Sequence, residues 1–141
     1  MALANIEDII RKFGVERASA PMMTFDGTTR TYGETHARSN RVANGLRALG
    51  VAPDARVPIV AKNGPAFFDT LFGIRKIGAV QVAVNWRLTA DEVKFIIEDA
   101  GAEVVFYDPE LAQIATSLPV ASVRNYIALG PDFEAWLAEQ S

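Results

Sequence analysis

Cysteine is absent from this sequence, histidine occurs once, and no apolar run is long enough to cross a membrane. Without cysteine there is no disulfide framework, no thiolate metal site and no cysteine nucleophile. A single His36 also excludes a zinc site built from histidines. A membrane helix needs ~20 consecutive apolar residues, and the amphipathic start of the chain carries acids, unlike a signal peptide. We therefore expect a cytoplasmic protein without a membrane span.

Positive charge is also too sparse and too scattered for a nucleic-acid-binding surface. The 141 residues include 14 Lys and Arg against 17 Asp and Glu, which gives a net charge of -3. The basic residues form no stripe that could follow a phosphate backbone. Hydrophobic residues make up 50% of the chain, enough to bury a core. We expect residues 1–141 to form a single globular unit with no nucleic-acid partner.

Apolar runs alternate with amphipathic segments through most of the chain. The run at 57–61 breaks at Asn63-Gly64-Pro65, an amphipathic segment continues to Ile77, and a second run covers 79–84. This pattern predicts strand, helix and strand, with parallel strands buried on both faces and a right-handed crossover. Pro58 removes a ladder donor, so the first strand either begins after it or lies at an edge there.

Two further strands complete the predicted sheet. They cover 103–107 and 123–129, with a capped helix before each, the second of them over 109–118. The fold class is therefore α/β, a doubly wound and mostly parallel sheet with flanking helices.

A helix and a β-hairpin precede this sheet. Asn5 can cap a short helix that ends at Gly14, and Asp26-Gly27 supplies the tight turn of the hairpin. A capping box, Thr31-Tyr32-Gly33-Glu34, then predicts a longer helix. Its arginines, Arg38 among them, are expected on the wetter flanks.

Ligands of open α/β sheets bind beyond the carboxyl ends of the strands. One predicted strand ends at Lys62 and Asn63, which could face a ligand, although the turn that starts the next helix also explains them. Another ends at Asp108, which with Pro109 is typical of a helix cap.

The turn Asn85-Trp86-Arg87 is different, because a strand-to-helix turn needs neither a large aromatic ring nor an arginine. Packing of Trp86 and pairing of Arg87 with an acid would account for them. A planar ring beside a guanidinium also suits stacking on a nucleotide and contact with phosphate.

The sequence lacks the residues that several other kinds of functional site require. The segment 73–78 has the glycine spacing of a phosphate loop, but it lacks the lysine and hydroxyl residue and lies inside a helix. A receiver-like phosphoacceptor domain would depend on Asp108, which lacks the accompanying acids for magnesium. His36 has no acidic or nucleophilic partner in register and is expected at the surface. We assign no catalytic residue and no metal ligand.

Several segments, in order and spacing, resemble the adenylate-forming enzymes, the superfamily of acyl-CoA synthetases and luciferases. They are Thr31-Tyr32-Gly33-Glu34, 37–46, Leu49-Gly50-Val51, Arg56-Val57, Asn63-Gly64-Pro65, 76–80, Asn85-Trp86-Arg87-Leu88 and 97–102. The resemblance spans nearly the whole chain, although such enzymes are several times longer. It implies that residues 1–141 are the N-terminal part of the large domain of an acid–CoA ligase.

Such enzymes use ATP and Mg²⁺ to convert a carboxylic acid, here expected to be a fatty acid, into an acyl-adenylate, and then form a thioester with coenzyme A. The family's phosphate loop and catalytic lysine match nothing in this chain, so we expect it to be inactive alone, to bind no cofactor tightly and to need the remainder of the enzyme. The resemblance also implies that Arg87 contacts the nucleotide end of coenzyme A, beside Trp86, which replaces the proline of most relatives.

A second hypothesis is a non-catalytic binding or assembly module of the same fold. A truncated paralogue would leave apolar faces uncovered, and such faces promote association into a homo-oligomer.

Overall fold

The computed structural model describes residues 2–141 and contains a four-stranded parallel sheet, a two-stranded hairpin and flanking helices. The elements are α1 (Ile6–Glu16), β1 (Pro21–Phe25), β2 (Thr28–Thr31), α2 (Tyr32–Ala48), β3 (Arg56–Val60), α3 (Pro65–Lys76), β4 (Val80–Val84), α4 (Ala90–Asp99), β5 (Val104–Tyr107), a 3₁₀ turn (Pro109–Leu111), α5 (Ala112–Ala115), β6 (Asn125–Ala128) and α6 (Pro131–Ala138). The predicted alternation of strands and helices, preceded by a helix and a hairpin, is confirmed.

The strands of the sheet lie in the order β4-β3-β5-β6, and every pair is parallel. This order places β3 and β5 inside the sheet, where they are buried on both faces as predicted. The same prediction is wrong for β4, since Val80 is 39% exposed and Ala83 is exposed as well. The physical reason is that β4 is an edge strand, which the apolar run alone could not indicate.

Pro58 lies inside β3 at a position that has a partner on only one side. It pairs in register with Val82 of β4, whereas pairing with β5 begins at Ile59. The missing N–H of Pro58 therefore removes no bond to β5. The predicted alternative of a strand that begins after Pro58 is wrong, because β3 begins at Arg56, whereas an edge at Pro58 is found on the β5 side.

Helices cover both faces of the sheet, which confirms the doubly wound arrangement. One apolar layer joins α2, α3 and α6 to the sheet through Val42, Leu46, Ile59, Ile74, Phe106 and Phe133. The opposite layer packs α4 and α5 on the sheet through Val60, Val93, Ile97, Val105 and Ala115. The carboxyl ends of the strands are left open between the two layers.

The predicted stop of α1 at Gly14 is wrong, because the helix continues to Glu16. Gly14 instead faces α2 so closely that a Cβ atom there would lie 2.4 Å from the Cβ of His36. The glycine allows close helix packing rather than ending the helix. For the same reason the predicted surface position of His36 is wrong, since its side chain is half-buried between α1, α2 and α3.

The prediction that Arg38 lies on a wet flank of α2 is wrong, because its side chain joins three helices. Its Nε donates to Asp69 Oδ2 of α3 at 2.8 Å, and its Nη1 donates to Glu134 Oε2 of α6 at 2.9 Å. Arg30 of β2 donates to the same Asp69 carboxylate at 2.8 Å. Asp69 is 0% exposed, so the cluster holds a buried acid between two arginines.

The helix predicted over 109–118 is shorter than its sequence pattern indicates. It consists of the 3₁₀ turn and the single turn of α5, which ends at Ala115. Asp108 occupies the predicted N-cap position, and Pro109 follows it in the first turn, but the Asp108 side chain makes no capping hydrogen bond. Its carboxylate is used elsewhere.

Candidate functional site

A cleft of about 580 Å³ opens at the carboxyl ends of β3, β5 and β6. Its walls come from the turn at 62–67, from 108–110, from Leu129 and Gly130, and from Phe25 of the hairpin. Phe25 is 44% exposed and faces the start of α3, with its ring 3.8 Å from the position of a Cβ atom at Gly64. The cleft therefore lies at the edge where α/β sheets bind ligands.

Asp108 joins the ends of two neighbouring strands at this cleft. Its N–H donates to Val60 O at 2.9 Å, and its carboxylate Oδ2 accepts from the N–H of Lys62 at 2.8 Å. Burial raises the pKa of Asp108, while the hydrogen bond from the Lys62 N–H acts in the opposite direction. Asp108 is thus a tie between β3 and β5.

The receiver-like hypothesis would need acidic side chains for magnesium around Asp108. Residues 2–141 contain no group of three His, Cys, Asp or Glu side chains that could hold a metal ion.

Lys62 connects the cleft to the turn after β4. Its Nζ lies 3.1 Å from Glu110 Oε1 and 4.8 Å from the centre of the Trp86 ring. The contact follows from strand order, because β3 and β4 are neighbours and their carboxyl ends meet at one edge. The sequence pattern explained Lys62 by a turn and contained no sign of its contact with Trp86.

Trp86 and Arg87 stack on each other in that turn. The guanidinium carbon of Arg87 lies 4.7 Å from the centre of the Trp86 ring, and the Asn85 side chain accepts a hydrogen bond from the Arg87 N–H at 3.0 Å. Arg87 is exposed and forms no ion pair with any residue in 2–141, so the expected alternative of an acidic partner is not observed.

The turn thus presents a half-buried indole ring with two cations, Lys62 and Arg87, over it. Each contact of this kind contributes about 0.5–1 kcal/mol at an exposed site. An aromatic face and free guanidinium donors suit a planar base next to a phosphate. Trp86 and Arg87, the two residues predicted as a binding pair, lie side by side, and Lys62 joins them.

A strong helix start holds this turn in place. Thr89 Oγ1 accepts from the N–H of Glu92 at 3.3 Å, and Glu92 Oε2 accepts from the N–H of Thr89 at 2.8 Å. This reciprocal capping box fixes the first turn of α4 directly after Arg87.

The other segments considered from the sequence have structural roles. Gly73 lies inside α3, where a Cβ atom would be 2.4 Å from Val42 Cγ1, so 73–78 is a packing surface and not a phosphate loop. The Nδ1 atom of His36 lies 3.1 Å from the Nζ of Lys76, and burial followed by the charge of Lys76 lowers the pKa of His36.

Sequence reasoning missed two buried charges of α3, Asp69 and Lys76, which are 0% and 8% exposed. A signal for them exists, since Asp69, Phe72, Gly73 and Lys76 follow the i, i+3, i+4, i+7 spacing of one helix face. A charge at each end of an otherwise buried stripe indicates a partner on the facing helix.

Within residues 2–141, no helix is both long enough and apolar enough to cross a membrane.

Comparison with known proteins gives one consistent family. Residues 11–140 match the family described as AMP-binding enzyme. The fatty acid–[acyl-carrier-protein] ligase ScoC of Streptomyces coeruleorubidus is 40% identical over 120 residues, which are 85% of this chain and 23% of that protein. The long-chain-fatty-acid–CoA ligase FadD13 of Mycobacterium tuberculosis is 40% identical over 102 residues, 69% of this chain and 20% of that protein.

The fold agrees with a solved structure as well. A fatty acyl CoA synthetase from Mycobacterium tuberculosis superposes with a TM-score of 0.80 at 30% identity, over 97% of this chain and 28% of that one. The matched region thus spans 20% to 28% of the length of these relatives. With the family match and the shared α/β fold, the chain belongs to the family of AMP-binding, adenylate-forming enzymes.

Proposed function

We propose that this chain is the N-terminal portion of a cytoplasmic, ATP-dependent ligase that converts a carboxylic acid into an acyl-adenylate and then into a coenzyme A thioester. Support comes from the family match over residues 11–140 and from relatives whose names describe ligases of fatty acids. On this proposal a fatty acid is the substrate, and the remainder of the enzyme is the partner of this segment.

The observation that carries the proposal is the Trp86–Arg87 stack at the carboxyl edge of the sheet. Coenzyme A ends in an adenine nucleotide, which combines a planar base with phosphate groups. Arg87 has guanidinium donors free for a phosphate, and Trp86 offers an aromatic face close by. Lys62, whose Nζ also pairs with Glu110, lies 4.8 Å from the centre of the same ring.

The ATP chemistry belongs to other parts of such an enzyme. In this segment, no residue was matched to the phosphate loop or catalytic lysine of the family, and the cleft walls carry the acids Asp108 and Glu110. We therefore infer that Mg²⁺ and ATP act in the whole enzyme, and that the 141-residue chain alone forms no adenylate and binds no cofactor tightly.

The direct test is Arg87→Glu in an enzyme that carries this segment, with Arg56→Glu as the matched control. Arg56 is also exposed and forms no ion pair within residues 2–141, but it lies at the opposite, amino-terminal end of β3. Since a lost charge-assisted hydrogen bond costs about a factor of ten or more, KM for coenzyme A should rise about tenfold in Arg87→Glu alone. ATP–pyrophosphate exchange should be unchanged in both variants.

Unchanged coenzyme A kinetics in Arg87→Glu would rule out the role of this residue. If the enzyme makes the adenylate but transfers the acyl group only to a carrier protein, then a carrier protein and not coenzyme A is the acceptor. A carrier protein is the acceptor in the name of ScoC. Absence of acid-dependent exchange would contradict the proposed ligase activity itself.

A non-catalytic assembly module is the second candidate, and exposed apolar side chains favour it. Phe95 of α4 is 67% exposed and Val80 on the edge strand is 39% exposed. Such surfaces would drive a homo-oligomer of the isolated chain. Sedimentation of the 141-residue chain tests this candidate, which a monomer at high concentration would contradict.

A further inference from the structure

A second cavity, of about 340 Å³, lies where α1, α2 and α3 meet. The side chains that line it include three cations and two carboxamides, namely Arg11, Lys76, Arg47, Asn40 and Asn44. Within residues 2–141, no aspartate or glutamate side chain lines it, and its remaining lining residues are Ala43 and Ser141. All five of these side chains end in N–H donors, so the cavity wall is built to meet an acceptor of hydrogen bonds.

The three cations of the cavity form no ion pair within the described residues, although the chain as a whole is acidic, with a net charge of -3. In residues 2–141 every ion pair involves other basic residues. Arg11 Nη2 donates to Lys76 O at 3.3 Å, and Arg47 Nη1 donates to Asn44 Oδ1 at 3.3 Å. Because a guanidinium has five donors, most donors of both groups remain free.

Lys76 is the most constrained of the three, since it is 8% exposed. Its Nζ lies 2.7 Å from Ser39 Oγ, 2.8 Å from Asn40 Oδ1 and 3.1 Å from His36 Nδ1. All of these partners are neutral. Burial, and then the charge of Arg11, lowers the pKa of Lys76 to about 7. A buried ammonium without a counter-ion is costly, and an anion in the adjoining cavity would relieve that cost.

One donor of the cavity already holds an oxygen atom. The Asn44 Nδ2 group donates to the main-chain O of Ser141 at 2.7 Å. Because Ser141 ends the 141-residue chain, this oxygen is one of its terminal carboxylate oxygens and competes in the cavity with any other anion. The cations around it pair with no acidic side chain of residues 2–141.

We propose that this cavity binds a tetrahedral oxyanion of the phosphate class, either free or as the phosphoryl group of a nucleotide. Arg11 and Arg47 supply charge-assisted hydrogen bonds, Lys76 supplies the buried charge, and Asn44 adds a neutral donor. None of these residues belongs to the strand-end cleft or to the Trp86–Arg87 turn. The site is therefore independent of the proposed ligase function.

The test is titration of the 141-residue chain with inorganic phosphate, pyrophosphate and AMP by calorimetry at low ionic strength. Arg47→Gln should weaken binding about tenfold or more, as expected for loss of a charge-assisted bond. Arg41→Gln is the matched control, because Arg41 is an exposed arginine of the same helix that does not line the cavity. The control should bind as the wild type does.

A readout on Lys76 keeps the proposal falsifiable even if a variant fails to fold. In the wild type, phosphate should shift the NMR signal of the Lys76 side chain and raise the pH at which it titrates. Tighter binding of AMP than of phosphate would assign the anion to a nucleotide, and the reverse order would assign it to free phosphate. Absence of saturable binding, an equal loss in Arg41→Gln, or an unmoved Lys76 signal would each overturn the proposal.

Discussion

No side chain separates Gly73 of α3 from Val42 of α2, and a Cβ atom on Gly73 would lie 2.4 Å from Val42 Cγ1. This close approach presses one face of α3 against α2. Asp69 and Lys76 lie one turn before and almost one turn after Gly73 on that face, so both are buried with it. The packing of a glycine thus determines where two charged residues of α3 meet their partners.

The first prediction concerns this contact. Gly73→Ala should reduce the free energy of unfolding by about 2 kcal/mol, because overpacking of a core costs about 1–3 kcal/mol. Alanine is the better helix former by about 1 kcal/mol, so propensity alone would give the opposite sign. Urea denaturation measures the difference.

A double-mutant cycle provides the control for this prediction. In the Val42→Ala background the methyl group added by Gly73→Ala has more room, so the added cost should fall by at least about 0.5 kcal/mol, the usual lower limit for coupled neighbours. Equal costs in both backgrounds would show that the contact with Val42 is not the cause.

The second prediction concerns Asp69, whose carboxylate binds Arg30 and Arg38. Burial raises the pKa of this buried acid, and the two arginines counter that effect. Asp69→Asn leaves Arg30 without its negative partner and leaves Arg38 with Glu134 alone. We therefore expect a loss of about 3 kcal/mol in the free energy of unfolding, at the low end for a broken buried pair because the arginines are 22% exposed.

Asp99→Asn is the matched control for Asp69→Asn. Asp99 is an exposed aspartate at the end of α4, and its substitution should leave the urea midpoint unchanged. Similar losses in the two variants would indicate a general effect of net charge and would contradict a specific role of the buried cluster.

Local signals explain what the sequence predicted well. The capping boxes at Thr31 and Thr89 are formed by neighbouring residues, so they identify α2 and α4 without any knowledge of the fold. The turn glycines Gly50 and Gly101 have the positive φ angles expected after these helices. Features fixed within one helix turn could therefore be predicted correctly.

Features that depend on which elements become neighbours could not be predicted. The exposure of β4 follows from its place at the sheet edge, and the half-buried position of Arg38 follows from Asp69 on another helix. At the candidate site, Trp86 and Arg87 are adjacent in sequence and were predicted together. Lys62 joins them only because β3 lies beside β4, which a single sequence does not specify.

The third prediction concerns the pH dependence that Lys76 confers. Its pKa is about 7 in the folded chain against an ordinary value of 10.5, so between these values the unfolded chain binds more protons. Stability from this group therefore rises with pH through that window, by up to ~1.4 kcal/mol per pH unit, and its penalty is complete below a pH of about 7. Arg11 of α1 and His36 of α2 are the titratable groups whose environment it shares.

Lys76→Met should remove this dependence. The stability of the variant relative to the wild type should fall by about 1 kcal/mol per unit as pH rises from about 7 to about 9, measured by urea denaturation at constant ionic strength. Lys94→Met removes an exposed lysine of α4 and should show no such slope. A flat difference for Lys76→Met would mean that Lys76 keeps an ordinary pKa in the folded chain.

The last prediction concerns Asp108, whose side chain ties two strands together and makes no capping hydrogen bond. Asp108→Ala removes the acceptor of the Lys62 N–H, so the free energy of unfolding should fall by about 1–2 kcal/mol and the Lys62 amide should lose hydrogen-exchange protection. Asp108→Asn retains an acceptor oxygen and should retain most of that protection. Glu110→Ala removes the ion pair with the Lys62 side chain but leaves the main-chain bond intact, so protection of the amide should be unchanged. A different result would contradict the tie between β3 and β5: Asp108→Ala destabilises the 3₁₀ turn at Pro109–Leu111 while the Lys62 amide stays protected. The Asp108 side chain would then act as the cap of that turn.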